Sequence, residues 1–172
     1  MQAHFRMFAG YNAWANKILY DAAARLPDAQ YREDRGAFFK SLHGTLNHLL
    51  TTDRIWWQRI SGTAPTGPVP DRLDAILFED FAGLRAAREA EDSRIIAYVS
   101  ALSAADLAGS ISYRRVTTPE PITQQLAPAM AHVFNHHTHH RGQAHAILTS
   151  LGVDAPPLDL LFYQRLAEAG KL

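Results

Sequence analysis

The chain contains no cysteine. That excludes disulfide frameworks, thiolate metal ligands and a cysteine nucleophile, and it fits a reducing compartment. It also lacks a surplus of either charge: Lys plus Arg and Asp plus Glu number 17 each. A nucleic-acid binder gathers a basic excess on one face, and nothing in this composition supplies one. No apolar run approaches the roughly 18 residues of a membrane span. The N-terminal "MQAHFRMFAGYNAW" has no apolar core followed by a small-residue cleavage site. The expectation is a cytoplasmic protein with neither nucleic acid nor membrane as partner. Its 172 residues suit a single domain, and a chain of this size buries roughly 70% of its unfolded surface without covalent staples.

Imidazole is what the sequence does have. Six of the nine histidines lie in "HVFNHHTHHRGQAH", residues 132–145. Around this stretch the periodicity predicts helices. Phe8, Tyr11, Ala15, Ile18, Ala22 and Leu26 step by three or four and predict a first helix over 4–26, ended by Pro27. Leu42, Leu46, Leu49, Trp56 and Ile60 predict a second over 38–61, stopped by Gly62. The Pro- and Gly-dense "GTAPTGPVPD" reads as a loop. A third helix starts between Asp74 and Asp80, and Phe81, Leu84, Arg88, Ile95, Val99 and Leu102 carry its stripe. "SISYRRVTTPEP" reads as a short extended arm or hairpin.

The fourth helix runs to Leu151, with Gly152 as its stop. Its start is open. Thr123 is a candidate cap, but Pro128 would then disturb the first turn. "LDLLFYQRLAEAG" predicts a short C-terminal helix capped by Asp159. Four long helices with short or moderate connections make the expected fold class all-α, an antiparallel four-helix bundle with a short C-terminal helix.

A helix turns about 100° per residue. With His136 as reference, His132 and His140 therefore lie about 40° to either side, and Gln143 falls on the same stripe. Val133, Ala144, Ile147 and Leu151 put the apolar face on the His140 side, so His136 and His140 look inward. His145 lies opposite His136, His139 is rotated away from His140, and His137 falls nearer the apolar side. Two imidazoles at i and i+4 can reach one ion, but the spacing alone is weak, and a third ligand is required. His43 and His48 on the second helix are the candidates, with His4 as an outsider. Spacing does not choose between them, and a lone histidine is more often hydrogen-bonded at a core edge.

"TLNHLLTTDRIWWQRISG" and "HVFNHHTHHRGQ", with "YNAWAN" and "LDLLFY" at the two ends, resemble the DinB family of helical-bundle metalloproteins. The resemblance covers nearly the whole chain. It implies that the metal triad falls on His48, from "LNH", and on His136 and His140, from the "NHxxxHRGQ" pattern. The family's name refers to induction by DNA damage and implies no DNA chemistry. Relatives in the wider superfamily look like metal-dependent transferases and isomerases that use a low-molecular-weight thiol. The implied partners are therefore such a thiol and a small-molecule substrate.

Three imidazoles leave open positions on a divalent ion, which suits a catalytic site, and nitrogen ligation suits zinc, nickel, copper or iron. The alternatives are a non-catalytic metal-binding stress or sensor bundle, and a metal-dependent hydrolase. Asp53 is a candidate partner for a ligand's second N–H, or else a surface ion-pair partner of Arg54 or Arg59. Gly142 is expected to allow close helix approach. Arg141 should anchor a carboxylate, and Gln143 should reach a bound water or pack. Trp14, Trp56 and Trp57 would line a pocket or be buried in core or dimer. Because Trp57 has no evident place and the family pairs, a homodimer is expected.

Overall fold

The computed structural model describes residues 1–115 and 120–172. Among them are seven helices and one two-stranded sheet: α1 (Gln2–Ala23), α2 (Asp28–Tyr31), α3 (Leu42–Ser61), α4 (Phe81–Ala101), α5 (Ala104–Ala108), β1 (Ser110–Arg114), β2 (Pro121–Gln125), α6 (Leu126–Ser150) and α7 (Leu160–Glu168). The fold is mostly helical. α1 and α3 each pack against both α4 and α6, so the four long helices close a ring. No helix among the described residues is long and apolar enough to cross a membrane.

Helix ends follow local chemistry. Ser41 Oγ accepts from the Gly44 N–H at 3.1 Å and starts α3. The start comes later than expected because residues 37–40 form a tight bridge, with Lys40 at φ 66°. Gly62, at φ 67°, ends α3 in the left-handed conformation that glycine tolerates. Asp80 accepts from Gly83 N–H at 2.6 Å and starts α4, and Ser103 with Asp106 forms a reciprocal capping box on α5.

Three expectations are corrected here. Thr123 does not cap α6; it lies in β2, opposite Ser112. α6 begins at Leu126, so Pro128 is its third residue, where no intrahelical N–H is needed. The Leu126 N–H donates to the Gly109 carbonyl at 2.9 Å and locks the helix start to the base of the hairpin. Asp159 stands at the N-cap of α7, but its side chain makes no capping bond. The expected arm is real as the antiparallel pair β1–β2, with Ile111 opposite Gln124 and Tyr113 opposite Ile122. Its remaining residues, 116–119, lie outside the described residues.

The interior has three parts. One apolar cluster gathers Phe5, Trp57, Ile95, Met130, Val133 and Phe134. A second gathers Leu19, Leu42, Leu46, Leu50, Leu84 and Leu148. Each such side chain contributes about 1.5–3 kcal/mol by leaving water. A polar layer joins all four long helices, with Asn12 and Asn16 of α1, Asp53 of α3, Arg88 and Asp92 of α4, and His137 and Arg141 of α6 all buried. This shifts the expected α1 stripe in part: Tyr11, Ala15 and Ala22 are buried as expected. Phe8, Ile18 and Leu26 are only half-buried, while Asn12 and Asn16 face the interior. Trp57 is 1% exposed and donates its indole N–H to Asp53 at 3.1 Å. It is a core residue, which removes it as a reason to expect a dimer face.

Candidate metal centre

His48 sits midway along α3, in a turn that holds the loop running from α3 to α4. Asn47 accepts from the N–H groups of Leu77 and Phe78, and Thr51 donates to the Ala75 carbonyl. These bonds fix residues 73–78 against the helix and deliver the Leu73 carbonyl to His48. The His48 Nδ1 lies 2.7 Å from that oxygen. A carbonyl only accepts, so Nδ1 carries the proton and Nε2 presents its lone pair. On α6, His140 Nδ1 donates in the same way to Gln143 Oε1 at 2.7 Å, which leaves its Nε2 free.

The Nε2 atoms meet. His48 Nε2 is 3.2 Å from His140 Nε2, and His140 Nε2 is 3.1 Å from His136 Nε2. One ligand atom from each of the three lies within 4.8 Å of the other two. His48 and His140 thus point lone pair at lone pair, which repels in the absence of a proton or cation between them. A cation at the meeting point converts that repulsion into three attractions, and neutral imidazoles are the form that ligates. The donor set therefore fits a divalent metal ion.

Burial supports the neutral form. It holds His48 at about 4, with the His140 and His137 charges pushing the same way and the Leu73 bond acting against them. Burial and four neighbouring imidazoles hold His136 at about 3, and burial lowers His140 as well. Phe39 stacks on the His48 ring at 3.7 Å and 19°, shielding one face. A side chain at Gly44 would collide with the Phe39 carbonyl, so the glycine permits this close packing.

Two cavities open on the cluster. One, of about 470 Å³, is lined by His48, His136, Trp56, Arg59, Tyr113 and Arg115, among others. The other, of about 310 Å³, is lined by His140, His139, Phe38 and Phe39 and shares His48 and His136 with the first.

The remaining histidines separate cleanly. Both nitrogens of His43 are taken: Nε2 donates to the Phe78 carbonyl at 3.0 Å, and Nδ1 accepts from Arg32 at 3.2 Å. It is a core-edge histidine. His132 is exposed and packs on Trp56. His139 is exposed and lies 3.3 Å from the Gln143 amide nitrogen. His4 and His145 line a larger cavity of about 910 Å³ between α1, α6 and the segment leading into α7.

His137 belongs to the polar layer. Its Nε2 donates to Asp53 Oδ1 at 2.7 Å. Asp53 is therefore neither the partner of a ligand histidine nor a surface group. It is fully buried, and Arg88 meets it at 2.6 Å and Asp92 at 2.9 Å as ion pairs. Burial alone would raise the Asp53 carboxyl, but His137 and Arg88 hold it well below the usual carboxylate range. Asn12 and Asn16 donate to Asp92. Arg141 donates to Asn12 and lies over the Tyr11 ring, so it anchors an amide rather than the expected carboxylate. Two arginines and two aspartates are thus buried together, and Arg88 alone pairs with both aspartates. The expectation for Gly142 also fails: no atom lies within 4 Å of where a side chain would begin. Gln143 orients His140. Of the tryptophans, only Trp56 lines a cavity beside the triad.

A legible signal existed for the layer. Arg88 sits on the apolar stripe of α4, and a buried guanidinium requires buried carboxylates. Asp53 and Asp92 gave no such signal, since acidic residues in helices usually face water.

The DinB family model matches residues 1–171. Protein DinB from Bacillus subtilis (strain 168) is 25% identical over 170 residues, covering 94% of each chain. A match along nearly the full length, over a chain that brings His48, His136 and His140 together, has one reading: this chain belongs to the DinB family.

Proposed function

We propose that this chain is a metal-dependent enzyme that transfers or isomerises a small molecule with the help of a low-molecular-weight thiol. His48, His136 and His140 would hold one divalent ion, and zinc, nickel, copper or iron all suit the nitrogen donors. The observation that carries the reading is the convergence of their Nε2 atoms, with the outer nitrogens of His48 and His140 already anchored. When bound, such an ion would acidify a thiol or water beside it.

The chain's own residues do the rest. The Leu73 carbonyl and Gln143 orient two imidazoles, and Phe39 keeps water from one face of His48. The protein offers no cysteine, so the attacking sulfur must come from a co-reactant. Two cavities on one cluster give room for two reactants, which favours transfer between molecules over simple hydrolysis. A purely structural ion is expected to be closed off by a protein carboxylate. Among the described residues the cluster contains histidines alone.

The proposal includes an antiparallel four-helix bundle of α1, α3, α4 and α6, folded as a single cytoplasmic domain with α7 as its short C-terminal helix. It also includes pairing of two chains, for which the family resemblance is now the whole support. Adding several biological thiols at millimolar concentration to cobalt-substituted protein tests the chemistry. A new thiolate-to-metal charge-transfer band is expected, because soft sulfur replaces water on the ion. If no thiol changes the spectrum, the transferase reading is wrong and a metal-binding bundle is left.

A further inference from the structure

We propose that the 470 Å³ cavity beside His48 and His136 binds an elongated small molecule by a terminal oxyanion, a carboxylate or a phosphate, gripped by Arg59 and Arg115. The inference deepens the metal-dependent reading above and rests on it only for where the far end of the ligand lies.

The cavity follows one face of α3. His48, Thr52, Trp56 and Arg59 line it in steps of three or four residues, and Tyr113, Arg115 and Gln124 close it from the hairpin side. Among the described residues, two guanidinium groups enter this wall and no carboxylate does. Elsewhere Arg32, Arg35, Arg72, Arg85, Arg88 and Arg94 meet carboxylates, whereas Arg6, Arg25, Arg54, Arg141 and Arg165 form no such ion pair among the described residues. Among the described residues, Arg59 and Arg115 meet none.

Arg59 is held rather than neutralised. Its guanidinium lies 5.0 Å from the Trp56 ring and 4.7 Å from the Tyr113 ring, and its Nη2 donates to the Arg114 carbonyl at 3.1 Å. That leaves a fixed, planar fork with N–H groups to spare, which is the geometry that matches a carboxylate or phosphate in two-point contact. Burial disfavours the charged form of Arg59, and the Arg115 charge adds to this while Tyr113 opposes it. An incoming anion would relieve both costs.

Length sets the ligand's shape. From His48 to Arg59 the helix rises about 16 Å. A molecule that pairs with Arg59 and reaches the imidazoles must therefore be extended, with an apolar middle against Trp56 and Leu73.

The test is calorimetric titration of the full chain, at about 0.15 M salt, with hexanoate, hexyl phosphate, hexanol and hexylamine. At least one of the two anions should bind about tenfold or more tightly than hexanol. Whichever anion wins identifies the headgroup, and hexylamine should bind weakest. Arg59→Gln and Arg115→Gln should each cut the preference to about threefold or less. Arg115 is exposed, so its replacement leaves the core intact even if the Arg59 variant folds poorly. Equal binding of hexanol and both anions overturns the proposal, and so does a preference that survives both substitutions. None of these probes contains sulfur, so metal analysis of the same untagged sample is independent. Anion selectivity without metal would sink the metal reading and leave this site standing. Metal without selectivity would do the reverse.

Discussion

The three-histidine cluster and the buried ionic layer are neighbours built from the same two helices. His48 and Asp53 are separated by little more than a turn of α3, and His136 and His137 are adjacent on α6. The layer pairs its carboxylates within itself, although His137 Nδ1 and Arg141 Nε are buried without a hydrogen-bond partner among the described residues. Each carboxylate in it has a guanidinium partner, and Asp53 satisfies His137 and Trp57 as well. The cluster is not closed. The outer nitrogens of His48 and His140 are anchored, the inner ones face each other, and cavities reach the cluster from two sides. Polar side chains at similar depth therefore do opposite work. Where the partners are in the chain, the group fixes the fold; where they are missing, the group waits for a ligand.

The largest expected difference is in metal binding. His136→Ala or His140→Ala should abolish stoichiometric metal in protein purified without an affinity tag, measured by elemental analysis. His139→Ala and His145→Ala should retain it, because neither contributes a nitrogen to the converging set of His48, His136 and His140. Equal loss from all four would mean a diffuse histidine cluster and would break the comparison.

A smaller effect, on stability, is expected in the layer. Asp53→Ala leaves Arg88 and His137 buried without their shared partner, a situation that costs about 3–5 kcal/mol. Denaturant unfolding should show that loss while metal stoichiometry stays at the wild-type value. If Asp53→Ala removed the metal and left stability unchanged, the carboxylate would belong to the metal site after all.

The cluster was largely legible in the sequence and the layer was not, and the reason is physical. Two imidazoles one turn apart on an inward face are a local pattern, so His136 and His140 announce themselves, and the "LNH" resemblance promotes His48 over His43. The structure gives the reason for that choice: Arg32 and Phe78 already occupy both nitrogens of His43. Periodicity located the long helices because burial selects apolar stripes. It found Tyr11, Ala15 and Ala22 on the inner face of α1 but missed Asn12 and Asn16, which read as surface residues until Asp92 is seen opposite them. The start of α6 was obscured for another reason. Thr123 has cap chemistry, but its neighbours across the hairpin, which no local pattern reveals, claim it for β2.

Acid should separate the two regions most subtly. The histidines of an exposed site would take up protons near 6.5. Here burial holds His48 at about 4 and His136 at about 3. Protons compete with metal only below the pKa values of the metal-free ligands. Metal affinity measured against a chelator should therefore begin to fall at lower pH than it would for exposed imidazoles, and then with more than a one-proton slope. Global stability of the metal-free protein should respond earlier. Below about 6.5 the unfolded chain binds protons that the folded histidines refuse, so stability declines as pH falls and keeps declining until the folded groups titrate, near 4 and 3. The carboxylate of Asp53 works with the opposite charge but the same direction. Its folded value is depressed, so its contribution is complete above the ordinary carboxylate pKa of about 3.9 and is lost only at lower pH. Urea midpoints taken from pH 7 to 3 should thus show a first decline in wild-type protein beginning near 6.5. In His48→Gln that decline should be shallower, because one suppressed imidazole is gone. An unchanged slope in that variant would show that His48 titrates in the folded chain as it does in water, and that the cluster is no more sheltered than the protein's surface.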